Sequence, residues 1–293
     1  MLTQKQREER EALDRKHGEI TESLAFAEDQ KKPWHVNHWE LGESETVRCE
    51  EHGDYQRHTL AGKGIRGEET KIHSRCPTCL RDELAGIEGG IRSLRVSSLL
   101  NDAGIALRFH DCEFENYQVV NADAEKNLAA CRRYVEKWDE RMKAGTGLVM
   151  VGNCGTGKNH LAISMAKAVI RNHLARVEIT DVMRIMRAVK NTWRNHSDVT
   201  EDRVLEHYAS LDLLIIDEVG VQFGSPSELA ILQEVINTRY ESMLPTILIS
   251  NLTLDQMKES IGERIVDRVT DGGRNRLTFG WESFRGHAAG AAA

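Results

Sequence analysis

The stretch GLVMVGNCGTGKNH places Gly152, Gly157 and Lys158 at the spacing G-x-x-x-x-G-K, which is typical of a phosphate-binding loop. An apolar stretch precedes the loop and a helix-forming stretch follows it, as the motif requires. Backbone N–H groups and the helix N-terminus would face the phosphates, and Lys158 would reach the β- and γ-phosphates of a nucleoside triphosphate. The predicted nucleotide-binding residues are Gly152, Gly155, Thr156, Gly157, Lys158, Asn159 and His160.

Two acidic residues, Asp217 and Glu218, end a second apolar stretch, LDLLIIDE. Ligands of open α/β sheets collect at the carboxyl ends of the strands, so this pair should face the phosphate loop. We expect Asp217 to hold Mg²⁺ directly or through water, and Glu218 to orient and deprotonate the attacking water. Asn251 ends the next apolar stretch, TILISN, and is predicted to hold that water or sense the γ-phosphate, although a lone asparagine there is more often a turn residue.

The residue after the loop lysine is Asn159, where a Ser or Thr hydroxyl usually binds the magnesium ion. The amide oxygen of asparagine is a hard, neutral ligand that can reach Mg²⁺ or one of its waters. We therefore expect Asn159 to weaken or reshape metal coordination and to slow hydrolysis, without abolishing nucleotide binding.

Two ligand pairs with two-residue spacing, CEEH and CPTC, lie within residues 49–79. Three cysteines and one histidine suit tetrahedral Zn²⁺ with no open position, which is a structural rather than a catalytic site. So small a module buries little apolar surface and would depend on the metal to fold. The predicted zinc ligands are Cys49, His52, Cys76 and Cys79, with His58 and His73 as alternatives to His52.

The elements that must position these residues follow from the pattern of apolar stretches. Strands are predicted at 148–151, 177–179, 211–216 and 246–250, and helices at 159–171, 181–193 and 227–242. This alternation predicts an α/β fold, a parallel sheet flanked by helices. The predicted organisation is a charged helix (1–30), a zinc-binding module (31–85), a linker around the Gly89–Gly90 pair (86–100), an ATPase domain (101–285) and a disordered tail (286–293).

Composition limits the cellular setting. The chain has 293 residues, a formal net charge of -7 and no apolar run long enough for a signal peptide or a membrane span. These properties predict a cytoplasmic protein without membrane contact, whose six cysteines are thiols or metal ligands. The mild charge gives no global attraction to nucleic acid, so DNA contacts would need a local basic surface.

Together the motifs resemble the DnaC-type replicative helicase loaders, a branch of the AAA+ ATPases related to the initiator DnaA and to the transposition helper IstB. The likeness runs from about Leu99 to FGWESFR, and the loop ending GTGKNHLA, with Asn159, is its most discriminating part because IstB-like proteins usually have threonine there. It implies ATP and Mg²⁺ as cofactors and side-by-side assembly. It also implies that Arg268 in GERIVDRV is an arginine finger with Arg264 as its companion; without the family, such arginines are more often surface ion-pair partners.

The segment AVKNTWRNHSDV matches a helical insertion of the initiator and loader clade that faces the central channel of the assembly. An aromatic ring between cations suits single-stranded DNA, because bases stack on the ring while phosphates meet the cations. Burial of the tryptophan in the core is the equally weighted alternative. The predicted DNA-binding residues are Lys190, Trp193 and Arg194, with Ser225 and Ser227 as weaker candidates.

The resemblance implies an ATP-dependent loader that places a hexameric DnaB-type helicase on single-stranded DNA, with slow, switch-like hydrolysis. Phage-type loaders often carry an N-terminal zinc knuckle, and we expect the helix and zinc module to bind the helicase, with DNA binding as the alternative. Two other functions stay open. One is an IstB-like transposition regulator, and the other is a non-enzymatic zinc adaptor with a vestigial nucleotide site.

Overall fold

The structure is a computed structural model that describes residues 3–64, 67–193, 198–220 and 226–284. The chain forms two compact units, Met1–Ser98 and Leu99–Ala293. The predicted tail at 286–293 lies outside the described residues. Within the described part, no helix combines the length and the apolar character needed to cross a membrane.

The first unit pairs two long helices with small antiparallel sheets. Its elements are α1 (Gln4–Asp29), β1 (Glu40–Leu41), β2 (Glu45–Cys49), β3 (Gly53–Arg57), β4 (Thr59–Lys63), β5 (Glu69–His73) and α2 (Pro77–Asp102). The strands form a three-stranded sheet in the order β1-β4-β5 and a separate β2-β3 hairpin. A small core lies beside the larger sheet, where Phe26, Val36, Trp39 and Leu60 are buried together.

Helices α1 and α2 pack antiparallel. Gln6, near the start of α1, donates a hydrogen bond to Ser97 near the end of α2 (Nε2–Oγ, 3.4 Å), and Glu28 at the other end of α1 pairs with Arg81. The charged helix predicted for residues 1–30 is present as α1, and its few apolar side chains are covered by a helix of the same unit. The apolar residues between the helices are Leu13, Ile20, Leu24, Ala27, Leu80, Leu84, Ile87 and Ile91.

The expected break at Gly89–Gly90 does not occur, because α2 continues through both glycines. A Cβ on Gly90 would lie 3.3 Å from Cδ1 of Leu13, so the glycine permits a close approach of α1. Each glycine costs a helix about 1 kcal/mol relative to alanine. Packing of α2 against α1 offsets that cost. The sequence around the two glycines does not reveal this packing.

The second unit is a sheet with helices on both sides. Its elements are α3 (Ala122–Glu136), α4 (Trp138–Ala144), β6 (Leu148–Gly152), α5 (Lys158–His173), β7 (Val177–Asp181), α6 (Val182–Thr192), α7 (Glu201–Ala209), β8 (Leu213–Asp217), α8 (Pro226–Glu241), β9 (Thr246–Ser250), α9 (Leu254–Ile261), α10 (Glu263–Thr270) and β10 (Arg276–Phe279). The five strands lie in the order β10-β6-β9-β8-β7, and every neighbouring pair is parallel. The predicted α/β fold is confirmed, and β10 is an edge strand that the sequence pattern did not predict.

Burial follows the predicted strands. All four predicted strands become apolar elements of the sheet, and β6, β8 and β9 are buried almost throughout. Strands that are covered on both faces have continuous apolar sequences rather than alternating ones. For this reason these strands could be predicted from the sequence.

Arg239 on α8 is a fully buried cation that joins several elements. Its guanidinium donates hydrogen bonds to Oγ1 of Thr246 (2.9 Å) and to the carbonyl oxygens of Tyr208 (2.6 Å), Leu211 (2.8 Å) and Pro245 (2.6 Å). Burial lowers the pKa of Arg239 to about 10, so the side chain stays charged at neutral pH. The arginine therefore satisfies carbonyl groups at the end of α7 and in the loops that precede β8 and β9.

We expect Arg239→Met to lower the free energy of unfolding by about 3 kcal/mol, because it leaves buried carbonyl groups without donors. Urea denaturation followed by circular dichroism measures this loss. The exposed Arg203 on α7 provides the matched control, and Arg203→Met should change stability by less than about 0.5 kcal/mol. Equal effects of the two substitutions would contradict the structural role of Arg239.

Candidate nucleotide site and metal centre

The phosphate loop joins the end of β6 to the start of α5 and depends on glycine at two close approaches. A Cβ on Gly152 would lie 2.3 Å from the carbonyl oxygen of Phe279, and one on Gly157 would lie 2.6 Å from the ring of Tyr117. Both glycines have positive φ, 126° and 94°, which side chains other than hydrogen disfavour. The two glycines of the motif are therefore required by the backbone as well as by the space around the loop.

Lys158 is buried at the N-terminus of α5. Its ammonium donates hydrogen bonds to the carbonyl oxygens of Gly152 (2.8 Å) and Asn153 (2.7 Å). Thr156, also buried, donates from Oγ1 to the Asn153 carbonyl (2.8 Å). These bonds hold the lysine beneath the loop, at the place where the motif predicts contact with phosphate.

Asn159 and Asp217 meet across the sheet edge. The Nδ2 of Asn159 donates to Oδ2 of Asp217 (2.5 Å), and the backbone N–H of Glu218 donates to Oδ1 (2.7 Å). Both carboxylate oxygens of Asp217 thus accept a hydrogen bond. Glu218 has a left-handed backbone, with φ of 58°, a strained conformation of the kind that concentrates at functional sites.

The predicted residues from the three strand ends share one cleft. The cleft has a volume of about 290 Å³ and is lined by Lys158, Asn159, Asp217, Glu218 and Asn251 among others. Its carboxylate and amide oxygens are ligands of the type that Mg²⁺ prefers, so these residues fit that ion. The arrangement brings a phosphate-binding loop, an acidic pair and an amide to the same edge of the sheet.

The segment before α3 packs against α5 through a buried cation that sequence reasoning missed. The ammonium of Lys167, on α5, donates to the carbonyl oxygens of His110 (2.5 Å) and Cys112 (3.0 Å) and to Oε1 of Glu113 (2.7 Å). Arg171 adds two hydrogen bonds to the same carboxylate (2.9 and 2.8 Å). Burial raises the pKa of Glu113, but the bonds from Arg171 and Lys167 outweigh it and leave the pKa below its usual value.

His160 belongs to the same contact. Its Nε2 lies 2.8 Å from the carbonyl oxygen of Glu113, and its ring meets that of Tyr117 edge to face at 5.4 Å. The side chain thus fastens the preceding segment to the phosphate loop, in addition to lining the cleft. His160, Lys167 and Arg171 recur on one face of α5, which is the sequence signal that could have found this contact.

The two predicted finger arginines lie on α10. Arg268 lines a small cleft with Gly147 and Thr246, at the amino ends of β6 and β9. The phosphate loop follows the carboxyl end of β6, so about 15 Å of strand separates the two positions. Arg264 is exposed one turn earlier on α10. Arg268 is therefore remote from the nucleotide cleft that its own chain forms.

Two of the predicted DNA-binding residues, Lys190 and Trp193, have partners within the second unit. Lys190 pairs with the buried Glu228 (2.6 Å). Trp193 is 56% exposed, so it is not packed into the core, and its indole N–H donates to Glu201 (2.8 Å). Their DNA contacts stay a prediction. Ser227 lies in the first turn of α8, whereas Arg194 and Ser225 fall outside the described residues.

The four predicted zinc ligands converge in the first unit. Their ligand atoms all lie within 4.8 Å of one another, and Nδ1 of His52 is 3.2 Å from Sγ of Cys79. The group consists of Cys49, His52, Cys76 and Cys79. The alternatives point elsewhere, since Nδ1 of His58 lies 2.6 Å from Ser44 and Nδ1 of His73 lies 2.9 Å from Thr59.

The cluster has the chemistry of a metal centre. The opposite ring nitrogen of His52 lies 3.2 Å from Oδ2 of Asp82, a carboxylate contact that orients histidine ligands in many metal sites. Backbone hydrogen bonds from Glu51 and His52 lower the pKa of Cys49 to about 6. The hydrogen bond with Cys49 raises the pKa of Cys79 to about 12. Crowded thiols of this kind fit a soft divalent cation such as Zn²⁺.

The fold and the nucleotide cleft define the class of the second unit. A phosphate loop follows β6, an acidic pair lies at the carboxyl end of β8, and Asn251 follows β9, the strand between them. These features are those of an AAA+ ATP-binding domain. A family model described as "IstB-like ATP binding protein" matches residues 91–285, and the chain belongs to this family.

Individual relatives agree with this assignment. The chain is similar to the replicative helicase loader DnaC of Escherichia coli (strain K12), with 34% identity over 206 residues that cover 70% of this chain and 82% of that protein. The DnaC of Buchnera aphidicola subsp. Schizaphis graminum is 34% identical over 199 residues, covering 68% and 79%. The crystal structure of the DnaC helicase loader shares the fold, with a TM-score of 0.54 at 22% identity over 59% of this chain and 99% of that one.

We expect Asn159→Thr to lower the Mg²⁺ concentration needed for half-maximal ATP hydrolysis by about three- to tenfold. The hydroxyl would free Oδ2 of Asp217 from the amide and offer a ligand of its own. Titration of ATPase activity with MgCl₂ measures the change. The same exchange at the exposed Asn191 of α6 should have no effect. An unaltered Mg²⁺ dependence and turnover in Asn159→Thr would mean that the asparagine does not tune the metal site.

Proposed function

We propose that this protein is an ATP-dependent loader of a DnaB-type hexameric replicative helicase onto single-stranded DNA during the initiation of replication. The observation that carries the proposal is the Asn159–Asp217 contact beside the phosphate loop, in a chain that resembles replicative helicase loaders over most of their length. Relatives named replicative helicase loader DnaC support it at 34% identity.

In this function the nucleotide cleft acts as a slow switch. Lys158 binds the β- and γ-phosphates, Glu218 orients the attacking water and accepts its proton, and Asn251 contacts that water or the γ-phosphate. Asp217 and Asn159 would hold Mg²⁺, which neutralises phosphate charge when bound. The hydrogen bond between these two side chains supports slow hydrolysis, because the amide occupies an oxygen that metal coordination would use.

Assembly completes the switch. Arg268 lies at the amino end of β6, about 15 Å of strand away from the phosphate loop at its carboxyl end. This position supports action on the nucleotide of a neighbouring copy, with Arg264 beside it. An arginine supplied in this way makes hydrolysis depend on self-assembly.

Single-stranded DNA would bind at the end of α6. The exposed ring of Trp193 can stack on a base, and the phosphates can compete with Glu228 for the ammonium of Lys190. Ser227, in the first turn of α8, is a further proposed DNA-binding residue, and Arg194 and Ser225 are proposed from their place in the sequence alone.

The first unit would bind the helicase and be held together by Zn²⁺. Its four ligands supply a closed Cys₃His set, which suits a structural ion. Neither strand of the β2-β3 hairpin, which carries Cys49, contains a buried residue, so metal binding would contribute directly to its folding.

A second candidate function is an IstB-like transposition regulator, which the description of the matching family favours. Asn159 at the end of the phosphate loop and the Cys/His cluster speak against it. Such a regulator would act on double-stranded DNA with a transposase and would not retain a replicative helicase.

We expect immobilised protein to retain a purified DnaB-type helicase and, with ATP, to transfer it to circular single-stranded DNA. Lys158→Ala should lose ATP affinity by at least about 100-fold and abolish transfer, while still retaining the helicase through the first unit. ATP binding by calorimetry and sedimentation of the helicase with the DNA measure the two steps. Lys143→Ala, at an exposed position on α4, is the matched control. No retention of helicase with or without ATP would exclude the loader function.

We expect one Zn²⁺ per chain by elemental analysis of the purified protein. His52→Asn should lose most of the metal and lower the thermal midpoint of the first unit, because one of four ligands is removed. His58→Asn and His73→Asn should keep a full zinc content and serve as controls. Zinc loss in either control with retention in His52→Asn would contradict the proposed ligand set.

A further inference from the structure

The guanidinium of Arg268 is held by two residues of α8. Its Nη1 donates a hydrogen bond to Oδ1 of Asn237, and its Cζ lies 5.1 Å from the centre of the Tyr240 ring. Asn237 and Tyr240 are three residues apart on a helix, so their side chains share one face. We call this pair the seat of Arg268.

The seat distinguishes Arg268 from Arg264. Arg264 is exposed, and among the residues that the structure describes we find no hydrogen bond or ion pair made by its side chain. Arg268 is half-buried, with its guanidinium already oriented. A long side chain loses up to about 2 kcal/mol of rotamer freedom when it is fixed. Much of this rotamer freedom of Arg268 is already lost within its own chain, so less entropy would be lost when the side chain contacts another molecule.

The surface around the seat suits a second copy of the chain. Tyr240 is 49% exposed and Met243, in the same turn, is 50% exposed. Both lie near the amino edge of the sheet, next to Gly145 and Thr246. Exposed large apolar side chains beside a seated cation are what an interface core with an arginine anchor requires.

We propose that Asn237 and Tyr240 are positioning residues that orient Arg268 for entry into the nucleotide cleft of a second copy. Asn237 accepts one N–H of the guanidinium and leaves the other donors for phosphate oxygens. The ring of Tyr240 supports the cation by its π face and holds its plane. This proposal rests on the proposed finger role of Arg268 and adds the residues that select it over Arg264.

Mixed assemblies separate the seat from the nucleotide cleft. One chain carries Lys158→Ala and can only donate the arginine, while the other carries Arg268→Ala and can only bind ATP. With Tyr240→Leu or Asn237→Ala added to the donor chain, kcat should fall on the order of tenfold with KM for ATP unchanged. Tyr240→Phe in the donor keeps the ring and should restore kcat. Arg268→Ala in the donor should lower kcat by about a thousandfold or more.

The position of the change is the control. The same seat substitutions in the ATP-binding chain should leave kcat unchanged, and Glu241→Ala, on the exposed face of α8, should have no effect in either chain. Equal losses in both chains, or a fall in thermal midpoint that parallels the loss of kcat, would show a merely structural role and overturn the proposal. A normal kcat with Tyr240→Leu and Asn237→Ala donors would also overturn it.

Failure of the proposed function looks different. If wild-type assemblies do not hydrolyse ATP, the switch itself is absent and the seat has no function to serve. If Arg264→Ala, and not Arg268→Ala, removes activity in the donor chain, the proposed ATPase function is retained. The proposal that Asn237 and Tyr240 position the finger arginine is then wrong.

Discussion

Parallel pairing of β6, β9 and β8 is the constraint on which the nucleotide cleft depends. Val151 is opposite Ser250, and Ile216 is opposite Leu248, so the three strands end within two residues of one another. A shift of one residue would move Asp217 away from Asn159 and turn the strand side chains to the opposite face. The register is held by apolar side chains buried on both sides of the sheet. The geometry of the nucleotide cleft at the carboxyl ends of the strands therefore depends on the packing of the strand interiors.

Much of the second unit could be predicted from sequence because its signals are local. The phosphate loop, the apolar strands and the acidic pair are each contiguous, and the four predicted strands were found nearly at their observed limits. The Cys/His cluster was also predictable, since each of its two residue pairs lies within four residues of sequence. The structure adds the reason for choosing His52, namely that His58 and His73 contact Ser44 and Thr59 instead.

The features that sequence could not supply depend on contacts between distant residues. The sequence alone indicates that Lys167 is a surface lysine of a helix. In the structure its ammonium is bound by the carboxylate of Glu113 and by two carbonyl groups. The neighbours of Lys190 in sequence predict a DNA contact, but they do not show its ion pair with Glu228, which lies far along the chain. The glycine pair of α2 gave the wrong local signal because the partner helix, α1, begins more than sixty residues earlier. In each case the conformation is determined by a contact between residues far apart in the chain. A short stretch of sequence contains only one of the two partners and so cannot reveal the contact.

Arg268 lies at the amino ends of the strands, and the phosphate loop lies at their carboxyl ends. This arrangement has a consequence for the symmetry of an assembly. If Arg268 enters the nucleotide cleft of a second copy, as proposed, the contact joins two different faces and is heterologous, so copies would add head to tail and the assembly would have a direction. Unless such a chain of subunits closes on itself, one terminal copy holds a nucleotide without a neighbouring arginine and the other presents an arginine with no nucleotide to meet. The two ends of an open assembly are therefore chemically different, and a partner protein or a DNA strand could recognise one end and not the other.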